Sequence, residues 1–405
     1  MIRQLRQIGT DASLSALVAG FLAVLISYAG PLVIVFQAAR AANLSTGMTS
    51  SWIWAISIGS GISGLLLSWR LKTPVVTAWS TPGAALLVGM LPSMPLAQAV
   101  GAYVVAALVV TAIGMSGAFD RLIERIPKGL ASAMLAGILL RFGTDVFFSI
   151  KASPALVILM VLTFLLLKRN LPRYAIAGVM LVGTVYAVVT GTTHLSQVSL
   201  ALVRPVFVMP EWSWHAVLSL GLPLALVTLT GQYVPGMAVL RGSGYAVPAG
   251  GIVGATGLLS LLLAPFGAHG VNLAAITAAI CTGREAHEDP SRRYVAGIAS
   301  GAIYIVVGAF GGTLALLFGS LPRELIATLA GLALIGAIGT GLVGTIQDEK
   351  HRDASVITFL VTASGMSFLG LGAAFWGLVI GAVACAVLHR PWKREAAPAL
   401  NMRKV

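Results

Sequence analysis

Fourteen apolar runs, parted by short breaks rich in charge, proline or glycine, dominate this chain. They fall near 13–38, 49–69, 74–91, 95–117, 127–149, 153–168 and 173–191. After a break near 192–214 they resume near 215–240, 245–264, 266–283, 293–318, 322–346, 353–369 and 371–389. Most are long enough to cross ~30 Å of hydrocarbon as helix. Only 10% of the 405 residues are charged and 58% are hydrophobic, whereas soluble domains carry roughly 25% charged residues. A soluble fold would have nothing to cover so much apolar surface. The expectation is an all-α polytopic membrane protein with about fourteen transmembrane segments.

The net charge of +13 would point to nucleic acid in a soluble protein. Here the basic residues sit in short loops between apolar runs, which is the pattern that orients spans in a membrane. With the N-terminus in the cytoplasm and sides alternating, 21 of the 26 lysines and arginines fall inside; only Arg40, Arg141, Lys151, Arg204 and Arg323 fall outside. That bias supports an even number of spans with both termini cytoplasmic, and excludes a nucleic-acid partner. Ala38-Ala39-Arg40-Ala41-Ala42 has the look of a cleavage site. Leu14 to Ala39 is, however, far longer than the roughly 7–15 residues of a signal-peptide apolar region, so it reads as a retained first span. Cys281 and Cys385 lie in apolar runs and read as small packing residues.

Four ordered matches link the two halves of the chain. Gly20–Gly30 matches Gly221–Gly231, Gly61–Leu67 matches Gly254–Ser260, Pro82–Leu86 matches Asn272–Ile276, and Ile126–Leu130 matches Leu321–Leu325, at shifts of 190 to 201 residues. The repeat holds seven spans. An odd number reverses sidedness, so the halves are expected to be inverted, as in secondary transporters whose substrate lies near the midplane between broken helices.

The third and tenth runs, 74–91 and 266–283, are short and hold corresponding places in the halves. Val75 to Trp79 favours extended backbone. Ser80 or Thr81 suits an N-cap and Pro82 the first helical position, with Gly83 following. The segment is expected to cross as strand, then half-helix, opening a helix N-terminus at mid-membrane. In the tenth run Pro265, Gly267 and Gly270 interrupt the helix, which is expected to restart around Val271–Asn272. Two such N-termini facing one cavity form an anion site without a buried lysine.

No Asp or Glu lies in the middle of any run; Asp145, Glu211 and Glu324 fall near outer ends. A cation would want a buried carboxylate, so the substrate is expected to be anionic or neutral. His269 is the only ionisable side chain near mid-membrane, a candidate for substrate contact or proton coupling. Gln232 and Asn272 are polar at similar depth; they can bond a ligand or join helices. Tyr28, Trp79, Tyr233 and Phe266 can wall an aromatic ring, although any one of them is as readily packing. Gly59–Gly64 and Gly339–Gly344 fit a dinucleotide-binding pattern, but neither has the strand–helix unit and acidic residue that pattern requires. Close helix packing explains them better. No phosphate-binding loop, metal-ligand spacing or nucleophile–base pair is present, so neither an enzyme nor a cofactor is expected.

Pro74–Leu86 and Phe266–Gly283, with Gly221–Gly236, resemble the signature stretches of the bacterial benzoate/proton symporter family, and the resemblance runs over essentially the whole chain. It implies the fold of uracil/proton symporters and sulfate-type anion carriers: two inverted seven-span repeats, a core domain and a gate domain, moving as an elevator in the bacterial inner membrane. The core would comprise 1–118 and 215–319, the gate 119–191 and 320–391, with a periplasmic linker at 192–214 and a cytoplasmic tail at 392–405. The implied partners are benzoate or a similar aromatic carboxylate, a proton and the lipid bilayer, with a homodimer as a candidate assembly. The carboxylate would lie between Ser80–Gly83 and Gly270–Asn272, bonded by His269 and Gln232, with Tyr28 and Trp79 facing its ring. Related nucleobase carriers have acids on spans eight and ten; here Gln232 and His269 occupy those regions, which puts the proton-coupling residue in question. Another small organic anion, a nucleobase, or a channel-like anion pathway is the alternative.

Overall fold

A computed structural model describes residues 8–121, 127–193, 198–200, 202–274, 276–284, 286–369 and 371–388. Arg3, Arg6, Arg125, Arg390, Lys393, Arg394, Arg403 and Lys404 of the charge pattern, Ile126 of the fourth repeat match, and the tail at 392–405 lie outside the described residues.

The first half contains α1 (Leu14–Ala29), α2 (Pro31–Ala41), α3 (Thr46–Leu71), β1 (Thr77–Trp79), α4 (Thr81–Met90), α5 (Leu96–Met115), α6 (Lys128–Phe148), α7 (Pro154–Asn170) and α8 (Ala175–Val189). The second contains α9 (Trp214–Arg241), α10 (Ala249–Leu263), β2 (Val271–Leu273), α11 (Ile276–Thr282), α12 (Tyr294–Ala309), α13 (Gly311–Ser320), α14 (Arg323–Gln347), α15 (Arg352–Ala363) and α16 (Ala373–Leu388). Serines start several of these helices: Ser13, Ser45, Ser80 and Ser213 each accept a hydrogen bond from a first-turn N–H. Pro31, Pro82 and Pro154 occupy first turns, where a missing N–H costs nothing.

Each of the fourteen apolar runs holds a helix. Among the described residues seven helices are long and apolar enough to cross a membrane, counting α1 with α2 as one (Leu14–Ala41) and α10 on to Phe266, and α12 with α13, bent by 68° at Phe310, makes an eighth. The rest are shorter; α7, with 17 residues, rises only about 25 Å.

Packing joins the two halves. α3 lies on α12 and α5 on α10, while α1 packs against α11 and α12. A second group is built around α6, which packs on α14 and α15, with α7 on α8. Glycines set the closest approaches. A Cβ on Gly59 would come 2.6 Å from Val271 Cγ2, and one on Gly341 3.0 Å from the Ala136 Cβ. These glycine-rich stretches are therefore packing surfaces.

β1 and β2 pair antiparallel across the halves, Thr77 with Leu273, Ala78 with Asn272 and Trp79 with Val271. Such short strands leave outer edges that water cannot reach, and neighbouring helices supply the missing partners. Ser68 of α3 both donates to Val75 O (3.1 Å) and accepts from Val75 N–H (3.0 Å). Thr77 Oγ1 donates to Ser60 O (2.6 Å). In the other half Ser260 of α10 accepts from Val271 N–H at 2.8 Å.

Candidate functional site

The first half-crossing folds as its sequence implies. Strand β1 ends at Trp79, Ser80 Oγ accepts from Gly83 N–H at 3.0 Å, and α4 begins at Thr81 with Pro82 in its first turn. The second half-crossing differs from expectation. Val271–Leu273 is strand, and the helix starts at Ile276 rather than at Val271–Asn272. Val-Asn-Leu lacks the Ser-Thr-Pro start signal, and strand pairing with β1 claims its backbone. The motif match of Pro82–Leu86 with Asn272–Ile276 therefore lays helix against strand. The elements that meet are the two strands, Thr77–Trp79 and Val271–Leu273. Gly270–Asn272 consequently brings extended backbone beside Ser80, not a helix N-terminus.

The two segments are tied at Ser80. Its N–H donates to Gly270 O (3.1 Å), and its carbonyl accepts from His269 Nε2 (3.0 Å). With the Asn272 amide turned so that its nitrogen donates to Val271 O (3.0 Å), its oxygen lies 3.3 Å from Ser80 N. Because Ser80 O can only accept, the histidine hydrogen sits on Nε2. Nδ1 then carries a lone pair, and it is buried with no partner among the described residues. The Trp79 indole N–H, also buried, is unpartnered in the same way. Of the first-turn donors of α4, Gly83 N–H is taken by its cap and Pro82 has none.

Beside this junction lies an aromatic group. Tyr28 and Trp79 meet edge to face with ring centres 5.3 Å apart, and Tyr28 OH donates to Ser57 Oγ. Tyr304 of α12 completes the group, 5.8 Å from Tyr28 and 5.9 Å from Trp79. Tyr304 escaped the sequence reading. Its one signal there is a hydroxyl-bearing aromatic in the middle of a span, flanked by small and aliphatic residues.

The remaining candidates separate. Gln232 is half-buried in α9, in a widened turn (Leu229–Tyr233) whose Gly231 backs onto Pro82 and Leu135. Widened turns of this kind often occur at functional sites. Thr81 is also half-buried, whereas Ser80, Trp79, His269 and Asn272 are at most 3% exposed. The site is thus closed on its strand side, and Thr81 and Gln232 mark where it approaches α6. Phe266 does not join it. Gly267 has φ +100°, and the turn it makes carries the Phe266 ring onto Trp54 (5.8 Å) and Phe207 (5.7 Å). Tyr233 is buried on the far side of β2, its hydroxyl within hydrogen-bond reach of Thr256 Oγ1 and Val271 O. Among the described residues no carboxylate touches the junction, and their ion pairs, such as Arg241 with Asp120 and Arg292 with Asp11, lie at helix ends and in loops. Among those residues no cluster could hold a metal.

Interlocked apolar helices around two half-crossings are a fold that membrane transporters use. The chain superposes on SLC26A9 with a TM-score of 0.62 over 93% of its length and 66% of that chain. On the transmembrane domain of a cyanobacterium bicarbonate transporter, BicA, the score is 0.59 over 92% and 96%. Identity is 14% in both, so the likeness is one of fold. The family is shown by sequence: residues 10–387 match the family described as benzoate membrane transport protein, and the chain belongs to it. It is 49% identical over 391 residues to the benzoate membrane transport protein of Acinetobacter baylyi (strain ATCC 33305 / BD413 / ADP1), covering 96% of this chain and 99% of that one. It is 43% identical over 373 residues to the inner membrane protein YdcO of Escherichia coli (strain K12), covering 92% and 95%. The family and the Acinetobacter relative are described as membrane transport proteins, which are not enzymes.

Proposed function

We propose that the chain carries benzoate or a close aromatic carboxylate across the bacterial inner membrane together with a proton. The observation that carries this reading is the junction of His269 and Ser80 beside the Tyr28–Trp79–Tyr304 rings, with no acidic side chain in contact. The rings suit an aryl group. A carboxylate, however, needs donors, and a neutral His269 turns a lone pair outward. Beside the unclaimed Trp79 N–H, a proton on Nδ1 gives the anion a charge-assisted donor, or the acid brings its own proton to Nδ1. In both cases the anion and the proton bind together, which is the physical basis of symport.

The cross-half packing supports fourteen spans in two inverted halves. Advancing each partner by seven spans turns the contact of α3 with α12 into that of α10 with α5, as a two-fold relation requires. The two packing groups agree with a core of 1–118 and 215–319 and a gate of 119–191 and 320–391. Sliding of core past gate would then expose the site to each side in turn, with both termini cytoplasmic.

Uptake of labelled benzoate into proteoliposomes under an imposed proton gradient tests the proposal. Saturable uptake that rises with the gradient is expected; absence of saturation points to a channel, and indifference to the gradient removes the proton. Another small anion on this site is the competing reading, favoured by the fold shared with a bicarbonate transporter. A competition panel of aryl carboxylates, bicarbonate and nucleobases separates the two.

A further inference from the structure

A depression lies away from this junction, at the ends of α2 and α13. Two hollows share Arg40, Leu44 and Gly319. The deeper is about 120 Å³ and is walled by Phe36, Leu44 and Ala315, with the hydroxyl residues Thr46 and Thr49 beside Arg40. The shallower is a groove of about 560 Å³ that adds Arg323. Phe36 is itself stacked on Phe318, ring centres 4.5 Å apart and 14° from parallel, so its ring is held as a fixed wall.

Arg40 is half-buried and oriented by the chain. Its Nη2 donates to Phe318 O (3.0 Å), Gly319 O (3.4 Å) and Leu321 O (3.2 Å), closing the C-terminus of α13. The Nε and Nη1 hydrogens bond no described residue. A guanidinium fixed by one nitrogen, with other donors unclaimed at the mouth of an apolar hollow, matches a small anion with an apolar body. The hollow is comparable to a ~150 Å³ apolar cavity known to admit benzene. Glu324, next to Arg323 in the chain, lies near enough to act on the Arg40 charge but lines neither hollow.

We infer that this is a second, vestibular binding site for an aromatic monocarboxylate, with the ring against Phe36 and Ala315 and the carboxylate on Arg40, Arg323 adding long-range attraction. This rests on the reading of an aromatic carboxylate as cargo. Both arginines belong to the five basic residues assigned outside, so the site would gather substrate at the outer mouth, where the α13–α14 connection joins core to gate.

The test uses the full chain in lipid nanodiscs, with Gly319→Cys as reporter; a side chain there meets nothing within 4 Å. The rate of maleimide labelling is followed with and without benzoate. Benzoate at ten times its dissociation constant should slow labelling about tenfold by occupancy alone. Protection should be lost in Ala315→Leu, which fills the hollow, and weakened in Arg40→Gln, which keeps a donor for the carbonyls but no charge. Arg323→Gln, an exposed change, should weaken it without affecting folding. Protection should survive His269→Ala. A labelling rate indifferent to benzoate, or protection equally given by benzyl alcohol, overturns the vestibular site. Protection without any saturable uptake would instead retain this site and remove the transport reading; saturable uptake without protection does the reverse.

Discussion

Replacing His269 by glutamine separates the two things this side chain is proposed to do. In the native chain Nε2–H donates to Ser80 O at 3.0 Å and Nδ1 meets no partner. A glutamine amide can offer an N–H to the same carbonyl but has no proton to gain or lose. The bond to Ser80 O is worth about 1 kcal/mol net, whereas stranding a buried carbonyl costs about 1–3 kcal/mol. His269→Gln should therefore keep its denaturation midpoint within about 1 kcal/mol of the native chain, and His269→Ala should lose about 1–3 kcal/mol. The assay is reconstituted benzoate uptake between pH 6 and 8 outside, where an aryl carboxylate is fully ionised. If each anion needs one proton on Nδ1, half-saturation in the native protein rises up to tenfold, about 1.4 kcal/mol, per unit of pH. In His269→Gln it should be flat, and an imposed gradient should no longer concentrate the substrate. Accumulation against a concentration difference in the glutamine variant would refute the reasoning and put the proton on another group.

Ser80→Ala removes the cap on α4 and leaves Gly83 N–H buried without its partner, so stability should fall by about 1–2 kcal/mol; Ser80→Asn should restore part of it in a thermal-shift assay. Gly267→Ala sets a Cβ into the Trp52 indole at a φ of +100°; left-handed strain and overlap together should cost at least about 3 kcal/mol, seen as loss of monodisperse protein on size exclusion. Asp348 closes the α14–α15 turn: burial pushes its carboxyl up, but hydrogen bonds from His351 and Gly129 N–H outweigh this and hold it below the ordinary carboxylate range. A depressed folded pKa gives stability that is present above the unfolded value, near 4, and lost as pH falls through the folded one. The gap in denaturation midpoint between the native chain and Asp348→Asn should accordingly be open at pH 7 and close in acid.

How far the sequence carried the site follows from which forces are local. The cap and proline at Ser80–Pro82 act within one turn, so strand, cap and half-helix at 77–90 could be read directly. The tenth run holds no such signal between Gly270 and Ile276. Its backbone is decided by pairing with β1 nearly two hundred residues earlier, which no local pattern records. Phe266 sits three residues from His269 in sequence, yet one positive φ at Gly267 turns it onto Phe207. Tyr304 joins Tyr28 and Trp79 only because α12 packs against α1 and α3. The shape of the membrane fold is encoded by composition and spacing, whereas the ring that completes the site is set by contacts between the halves.

The missing carboxylate also bears on energetics. Under the proposed sliding of core past gate, the site crosses low dielectric, where an unpaired charge is expensive. On the same proposal the empty site holds a neutral His269 with its hydrogen on Nε2, so no fixed charge accompanies the return stroke. On the proposed symport, one proton and one carboxylate enter the loaded site together, as an imidazolium–carboxylate pair or as the neutral acid. Each form sums to zero. Both strokes then move no net charge, so a membrane potential clamped by potassium and valinomycin should leave the uptake rate unchanged while a pH step alters it. A nearby aspartate would break this balance by leaving a bare anion on one stroke. On this argument the absence of acids around Ser80 and His269 is a condition for carrying an anion with a single proton, as well as a means of admitting it.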